Sequence, residues 1–177
     1  MLNTTHALAG AFIGQKIGNP LWAFFISLAS HYLLDFIPHG DEFIGQWVAK
    51  KNSRKRTLLV VITDLITLTI FLLFILSRGQ SLQLSSMLSG LIGAILPDLF
   101  VYVIGPPGNF LLKSVHSFQK TNWLKTFFIK HNQMHNRLHN PLKKDMSPKV
   151  GIVFQFLLSI FFFLQIINWA IKNPDSC

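Results

Sequence analysis

A chain of 177 residues that is half apolar and only 13% charged has too few polar side chains for an ordinary cytosolic domain. Its mean hydropathy of +0.42 points to a bilayer. The formal charge of +9 would suggest nucleic acid in a soluble protein, but its distribution along the chain excludes that use, and the single Cys177 excludes an intramolecular disulfide.

The first expected element is a short helix over residues 4–17, capped by Thr4 or Thr5 and stopped by Gly18, Asn19 and Pro20. It is too short to cross a membrane and is expected to enter partway, or to lie against a bundle, with its start near the cytoplasmic face. Met1 to Ala7 carry no Lys or Arg, so they lack the basic region of a cleavable signal peptide, and the N-terminus reads as mature protein. Asn19 then caps a second helix over 21–37. Pro20 suits its first turn, and Pro38 disfavours helical geometry at Ile37. This run is at the short limit for a span, whereas 57–76, 82–104 and 150–171 are long enough to cross about 30 Å of hydrocarbon.

Between the last two runs, residues 122–139 repeat Leu124, Phe127, Phe128, His131, Met134, His135 and Leu138 at helical spacing, with Lys125, Lys130 and Arg137 opposite. That pattern predicts an amphipathic helix in the headgroup region, ended by Asn140 and Pro141. The expected fold is an all-α integral membrane protein. Residues 1–177 form one membrane domain, a bundle of about four transmembrane helices plus the short N-terminal helix and the cytoplasmic interfacial helix.

The charges orient this bundle. Lys50, Lys51, Arg54, Lys55 and Arg56 precede the second span, and Lys113, Lys120, Lys125, Lys130, Arg137, Lys143, Lys144 and Lys149 lie between the third and fourth. Only Lys16, Arg78 and Lys172 remain for the other side, so the 40–56 and 105–149 loops are expected to be cytoplasmic in a multi-pass cell-membrane protein. Its expected partners are membrane lipids, not nucleic acid.

Against this apolar background, Asp64 and Asp98 stand out. A carboxylate at membrane depth costs about 2.5 to 3.5 kcal/mol and persists only with a cation, a proton or a metal. At about 1.5 Å rise per residue, Asp64 lies roughly 10 Å and Asp98 roughly 9 Å inside their spans. His31 and Asp35 share one helix face and lie at a similar depth, with His39 and Asp41 in the turn below. His6 joins them from the first helix. His131, His135 and His139 rise from the interfacial helix, whereas His116 reads as a loop residue.

Mixed His and Asp donors without thiolate suit zinc first, then manganese or iron, and so many donors suggest two or three ions. Metals so placed clamp the oxygens of an in-line displacement at phosphorus. Asp64, Asp41 and His39 are the candidates for the catalytic group that orients water, and Arg137 for the residue that holds a substrate phosphate.

Three stretches, Thr5-His6 with Gly10, Ser30-His31-Tyr32-Leu33-Leu34-Asp35, and Leu96-Pro97-Asp98, resemble the LexA-regulated, membrane-bound metal-dependent hydrolases. The His-x-x-x-Asp element is also similar to that of the zinc-dependent phospholipase C group. The resemblance implies His6, His31, Asp35 and Asp98 as metal ligands and a hydrolytic activity. The family commonly continues Pro-Asp with another Asp and His, where this chain has Leu99 and Phe100. The His131 to His139 segment stands in place of the family's His-Arg-Gly and Thr-His-Ser stretch.

The expected function is therefore a metal-dependent hydrolase cleaving a phosphoester of a lipid or amphiphile at the cytoplasmic leaflet. The alternatives are a metal or proton transporter, in which the same residues form a path, and a non-catalytic metal- or haem-binding membrane protein.

Overall fold

The computed structural model describes residues 1–40, 53–77, 83–104, 122–138 and 146–173. These form six helices: α1 (Asn3–Ile17), α2 (Pro20–Asp35), α3 (Ser53–Ser77), α4 (Leu84–Ile104), α5 (Asn122–Leu138) and α6 (Pro148–Lys172). There are no strands among the described residues. The all-α expectation is met, and every helix overlaps the one expected from the sequence.

Among the described residues, two helices are long and apolar enough to cross a membrane, Leu84–Val101 in α4 and Lys149–Lys172 in α6. This is fewer than the four expected. The causes are local: α3 opens with Arg54, Lys55 and Arg56, which leaves the shorter apolar stretch Leu58–Phe74, and α2 is held to 16 residues between Pro20 and Asp35.

The distribution of side chains is nonetheless inverted relative to a water-soluble bundle. His6, Gln15, Ser27, His31, Asp35, Ser86 and Gln155 are buried, while Leu21, Trp22, Phe25, Leu65, Ile70, Phe156, Phe161 and Leu164 are exposed. Exposed apolar surface of this extent marks faces that a membrane or another protein covers.

The helices meet through small residues. Gly10 and Gly14 on α1 face Ser86, Gly90 and Ala94 on α4, and a Cβ added at Gly10 would lie 2.3 Å from the Gly90 carbonyl oxygen. The four-residue spacing on both helices lets the two backbones touch. Gly93 similarly receives Phe24 of α2, so α1, α2 and α4 form one tight group. Ala7, Leu8, Ala11, Met87 and Leu91 fill its core together with Leu68 of α3 and Ile166 of α6.

Of the two ends of α1, only the start differs from expectation. Asn19 caps α2 as predicted, its side-chain oxygen accepting from the Leu21 and Trp22 N–H groups, and Gly18 closes α1 in the left-handed conformation at φ +68°. At the start of α1, however, Leu2 occupies the cap position and Thr4 and Thr5 lie inside the helix. The cap comes from another helix. Asp64 on α3 accepts from the Asn3 N–H at 2.8 Å, the Thr4 N–H at 3.1 Å and the Thr4 hydroxyl at 2.6 Å.

Candidate metal centre

The starts of α1 and α6, the end of α2, the last turns of α4 and one face of α5 converge at one end of the bundle. Lys16 and Lys172 mark the opposite end, where Lys16 lies 5.6 Å from the Phe12 ring and 5.7 Å from the Trp169 ring. Four residues meet at the first end with one donor atom each, all within 4.8 Å of one another: His31 and Asp35 from α2, Asp98 from α4 and His135 from α5.

The separations of these atoms are specific. His31 Nε2 lies 3.1 Å from Asp35 Oδ2, 3.2 Å from His135 Nε2 and 3.7 Å from Asp98 Oδ1. His135 Nε2 lies 3.5 Å from Asp35 Oδ2 and 3.2 Å from Asp98 Oδ1. A tetrahedral ion with bonds of about 2.0 to 2.1 Å places its ligand atoms about 3.3 to 3.4 Å apart. Five edges of the group therefore bracket the value that such an ion requires.

The protonation pattern points the same way. His31 Nδ1–H donates to the Ala94 carbonyl at 2.7 Å, and because a carbonyl can only accept, the proton sits on Nδ1. Nε2 is left to face a second imidazole nitrogen and two carboxylates. Two imidazoles and two carboxylates buried together need a cation or a proton among them. A backbone carbonyl fixing the far nitrogen of a histidine is also the usual support of a metal ligand.

Pro97 lies in the same stretch of α4 and has no N–H to return to the Gly93 carbonyl four residues before it. Ala94 is the next residue after Gly93, and its carbonyl accepts from His31 of α2.

The other expected residues are distributed unequally around this group. His6 is brought in: Nε2 lies 3.1 Å from Asp35 Oδ1, and the ring stacks on His31 with centroids 4.0 Å apart. The Met1 nitrogen stands 3.1 Å from the same oxygen. His39 is buried, with Nε2 4.0 Å from Asp35 Oδ1. His131 takes a different partner, accepting at Nε2 from the Tyr32 hydroxyl at 3.2 Å, with its ring 6.1 Å from that of His135. Burial above all, reinforced by His135 and His31, holds its pKa below the ordinary histidine value, in keeping with an accepting nitrogen.

Asp64 was expected to orient water. Its partners all lie in the first turn of α1, so the structure uses this carboxylate as a helix cap. Arg137 is exposed and, two residues after His135, stands on the opposite side of α5, away from the group whose substrate it was expected to hold. Phe127 and Met134, from the apolar side of the amphipathic pattern, are exposed too; the packed face of α5 is that of His131 and His135. Asp41, His116 and His139 lie outside the described residues.

Two supports escape a reading by His and Asp motifs. Gln155, buried in α6, donates from Nε2 to the His39 carbonyl at 2.6 Å and accepts at Oε1 from the Leu2 N–H at 2.7 Å, tying the turn after α2 to the start of α1. A lone amide in an apolar run was its signal. Tyr32, within the Ser30-to-Asp35 stretch, borders the group with its ring 5.3 Å from His31 and 6.2 Å from His135. No known protein family matches the chain, and neither a curated protein nor a solved structure does.

Proposed function

We propose that this chain is a membrane-embedded, metal-dependent hydrolase that cleaves a phosphoester of a lipid or similar amphiphile at the cytoplasmic leaflet. The observation that carries the reading is the buried quartet of His31, Asp35, Asp98 and His135, with five of its six edges at 3.1 to 3.7 Å, all donor atoms within 4.8 Å of one another, and the His31 Nδ1 proton held by Ala94. Two imidazoles and two carboxylates suit zinc, with manganese or iron as the other candidates. A divalent ion held there polarises a phosphoryl oxygen and lowers the pKa of a water.

The protein's own contribution is placement. Pro97 and the α1–α4 glycine contacts hold Asp98 and the Ala94 carbonyl against His31, and α5 supplies His135 from outside the tight three-helix group. Apolar side chains are exposed on the three helices that carry the quartet: Leu33 and Phe36 at the end of α2, Leu99 on α4, and Phe127 and Met134 on α5. Exposed apolar surface on these helices suits a substrate with an acyl tail. Lys55, Lys130 and Lys149 are exposed on the segments that reach this end and favour an anionic headgroup. The short likeness to membrane-bound metal-dependent hydrolases agrees with this assignment.

The test is release of headgroup or phosphate from phospholipid vesicles by the purified, zinc-loaded chain. His31→Ala and Asp98→Ala are each expected to abolish it. Product formation that survives both substitutions would exclude the quartet as the active site. Metal flux into sealed vesicles, lost in the same variants and unaccompanied by product, would replace hydrolysis with transport.

A further inference from the structure

The quartet is assembled from two unlike parts. His31, Asp35 and Asp98 stand on α2 and α4, and these two helices touch through their backbones. A Cβ added at Gly93 would lie 2.3 Å from the Phe24 carbonyl oxygen, Ser89 Oγ donates to the Pro20 carbonyl at 2.6 Å, and His31 Nδ1 donates to the Ala94 carbonyl at 2.7 Å. Asp35 is held further through its Oδ1, with His6 Nε2 and the Met1 nitrogen both at 3.1 Å. These three donors cannot part unless the helix pair opens.

His135 is carried differently. Among the described side chains of α5 it is the buried one, at 4% exposure, and His131 beside it is half-buried, whereas Phe127, Lys130, Gln133, Met134 and Arg137 are exposed. The face that meets α2 and α4 presents two imidazoles. His135 Nε2 lies 3.2 Å from both Asp98 Oδ1 and His31 Nε2, and His131 meets the Tyr32 hydroxyl at 3.2 Å and the Phe100 ring edge-on at 5.5 Å. The rest of α5 suits a second seat, because exposed Phe127 and Met134 with Lys130 and Arg137 make a helix that rests at headgroup level. Leaving the quartet does not strand it in water.

This division bears on catalysis. Four protein donors make a closed site, the arrangement typical of structural zinc, whereas catalytic zinc keeps three protein donors and an open position. His31, Asp35 and Asp98 are such a set of three, on the rigid side of the site.

We propose that His135 is an exchangeable ligand, seated by α5 on the His31–Asp35–Asp98 group at rest and withdrawn when a phosphoryl oxygen of the substrate takes its place. The incoming ligand rests on the hydrolase reading, and the contrast between three fixed donors and one movable donor rests on the packing. Binding and release of α5 then govern access to the site, as movable elements do in many enzymes.

The test reads the ligands of the bound ion and not turnover. Zinc-edge X-ray absorption is measured on the zinc-loaded full chain in detergent, alone, with hexadecylphosphonate, whose C–P bond replaces the ester, and with inorganic phosphate. Two imidazoles are expected at rest, and one imidazole with a phosphorus neighbour once the phosphonate is added. His135→Ala and, as a second variant, His135→Gln are expected to keep zinc with one imidazole, to lose less zinc affinity than His31→Ala, and to bind the phosphonate more tightly than the wild type. Unchanged helicity identifies the variant that has folded.

Two imidazoles that persist at the highest phosphonate and phosphate concentrations would make His135 a permanent ligand and overturn the exchange. So would a folded His135 variant that holds zinc no better than His31→Ala. Exchange with inorganic phosphate alone would keep the movable ligand and overturn the lipid as substrate. Exchange without product from phospholipid vesicles would overturn the hydrolase reading and leave the movable ligand standing, and a chain that binds no zinc would overturn both.

Discussion

Asp64 and Asp35 are both buried carboxylates near the same end of the bundle, and they are neutralised in opposite ways. Asp64 receives donors only, two backbone N–H groups and a hydroxyl at the start of α1. Asp35 pairs through Oδ1 with the Met1 ammonium at 3.1 Å, and its Oδ2 lies among the His31 and His135 nitrogens at 3.1 and 3.5 Å. Asp64 is fully engaged in capping a helix, whereas Asp35 Oδ2 stands in the quartet that could hold an ion. Burial and charge alone do not distinguish the two, and only the hydrogen-bond partners of the facing groups do.

The sharpest way to break this contrast is to remove a ligand. His31→Ala is expected to weaken ion binding by more than the roughly 10- to 100-fold that follows loss of a supporting hydrogen bond. Metal titration checks this, and retention of wild-type affinity would place the ion elsewhere. Asp64→Ala should do the reverse, leaving metal content unchanged while costing about 1.5 to 3 kcal/mol of stability, the usual worth of hydrogen bonds to a charged group. Chemical denaturation in detergent reads that loss. Depleted metal in folded Asp64→Ala would mean that the carboxylate serves the cluster after all.

Gly10→Ala tests the scaffold common to both carboxylates. Its Cβ would meet the Gly90 carbonyl oxygen at 2.3 Å, so α1 must move away from α4, at a cost of about 1 to 3 kcal/mol. Because α1 carries His6 and the backbone groups bound by Asp64, both environments should be disturbed. Tyr32→Phe is the mildest change. It removes the hydroxyl that His131 accepts, with an expected loss of about 1 kcal/mol and no change in metal content. Lost metal there would return His131 to the set of ligands.

Much of the site was legible because depth along a helix is a sequence property. Counting residues from the helix ends places His6, His31, Asp35, Asp98 and His135 at one level, and the structure brings them together. Direction around the helix is different, because it depends on which neighbours pack. Asp64 has the right depth but faces α1, and nothing in the α3 sequence says that α1 begins there. His131 and His135 share a face of α5, yet only the second reaches the quartet, since the seating of α5 against α2 and α4 decides which ring enters.

The cap of α1 illustrates the same limit. Thr4 and Thr5 carry the composition of a local cap, and a carboxylate from another helix displaces them. Other features were readable but carry no His or Asp to attract notice. Gln155 interrupts an apolar run as Asp98 does, and the four-residue spacing from Gly10 to Gly14, and from Ser86 through Gly90 to Ala94, marks a close helix contact. The number of spans was over-read because basic residues and prolines at the helix ends shorten the apolar lengths.

The central claim, that the His31, Asp35, Asp98 and His135 quartet binds a metal, is tested most directly by zinc K-edge X-ray absorption on the zinc-loaded chain. The account predicts only nitrogen and oxygen neighbours at about 2.0 to 2.1 Å, with the outer-shell scattering of at least two imidazoles, and loss of that imidazole signal in His31→Ala. A zinc spectrum without imidazole scattering, or a chain that retains no zinc, would contradict it.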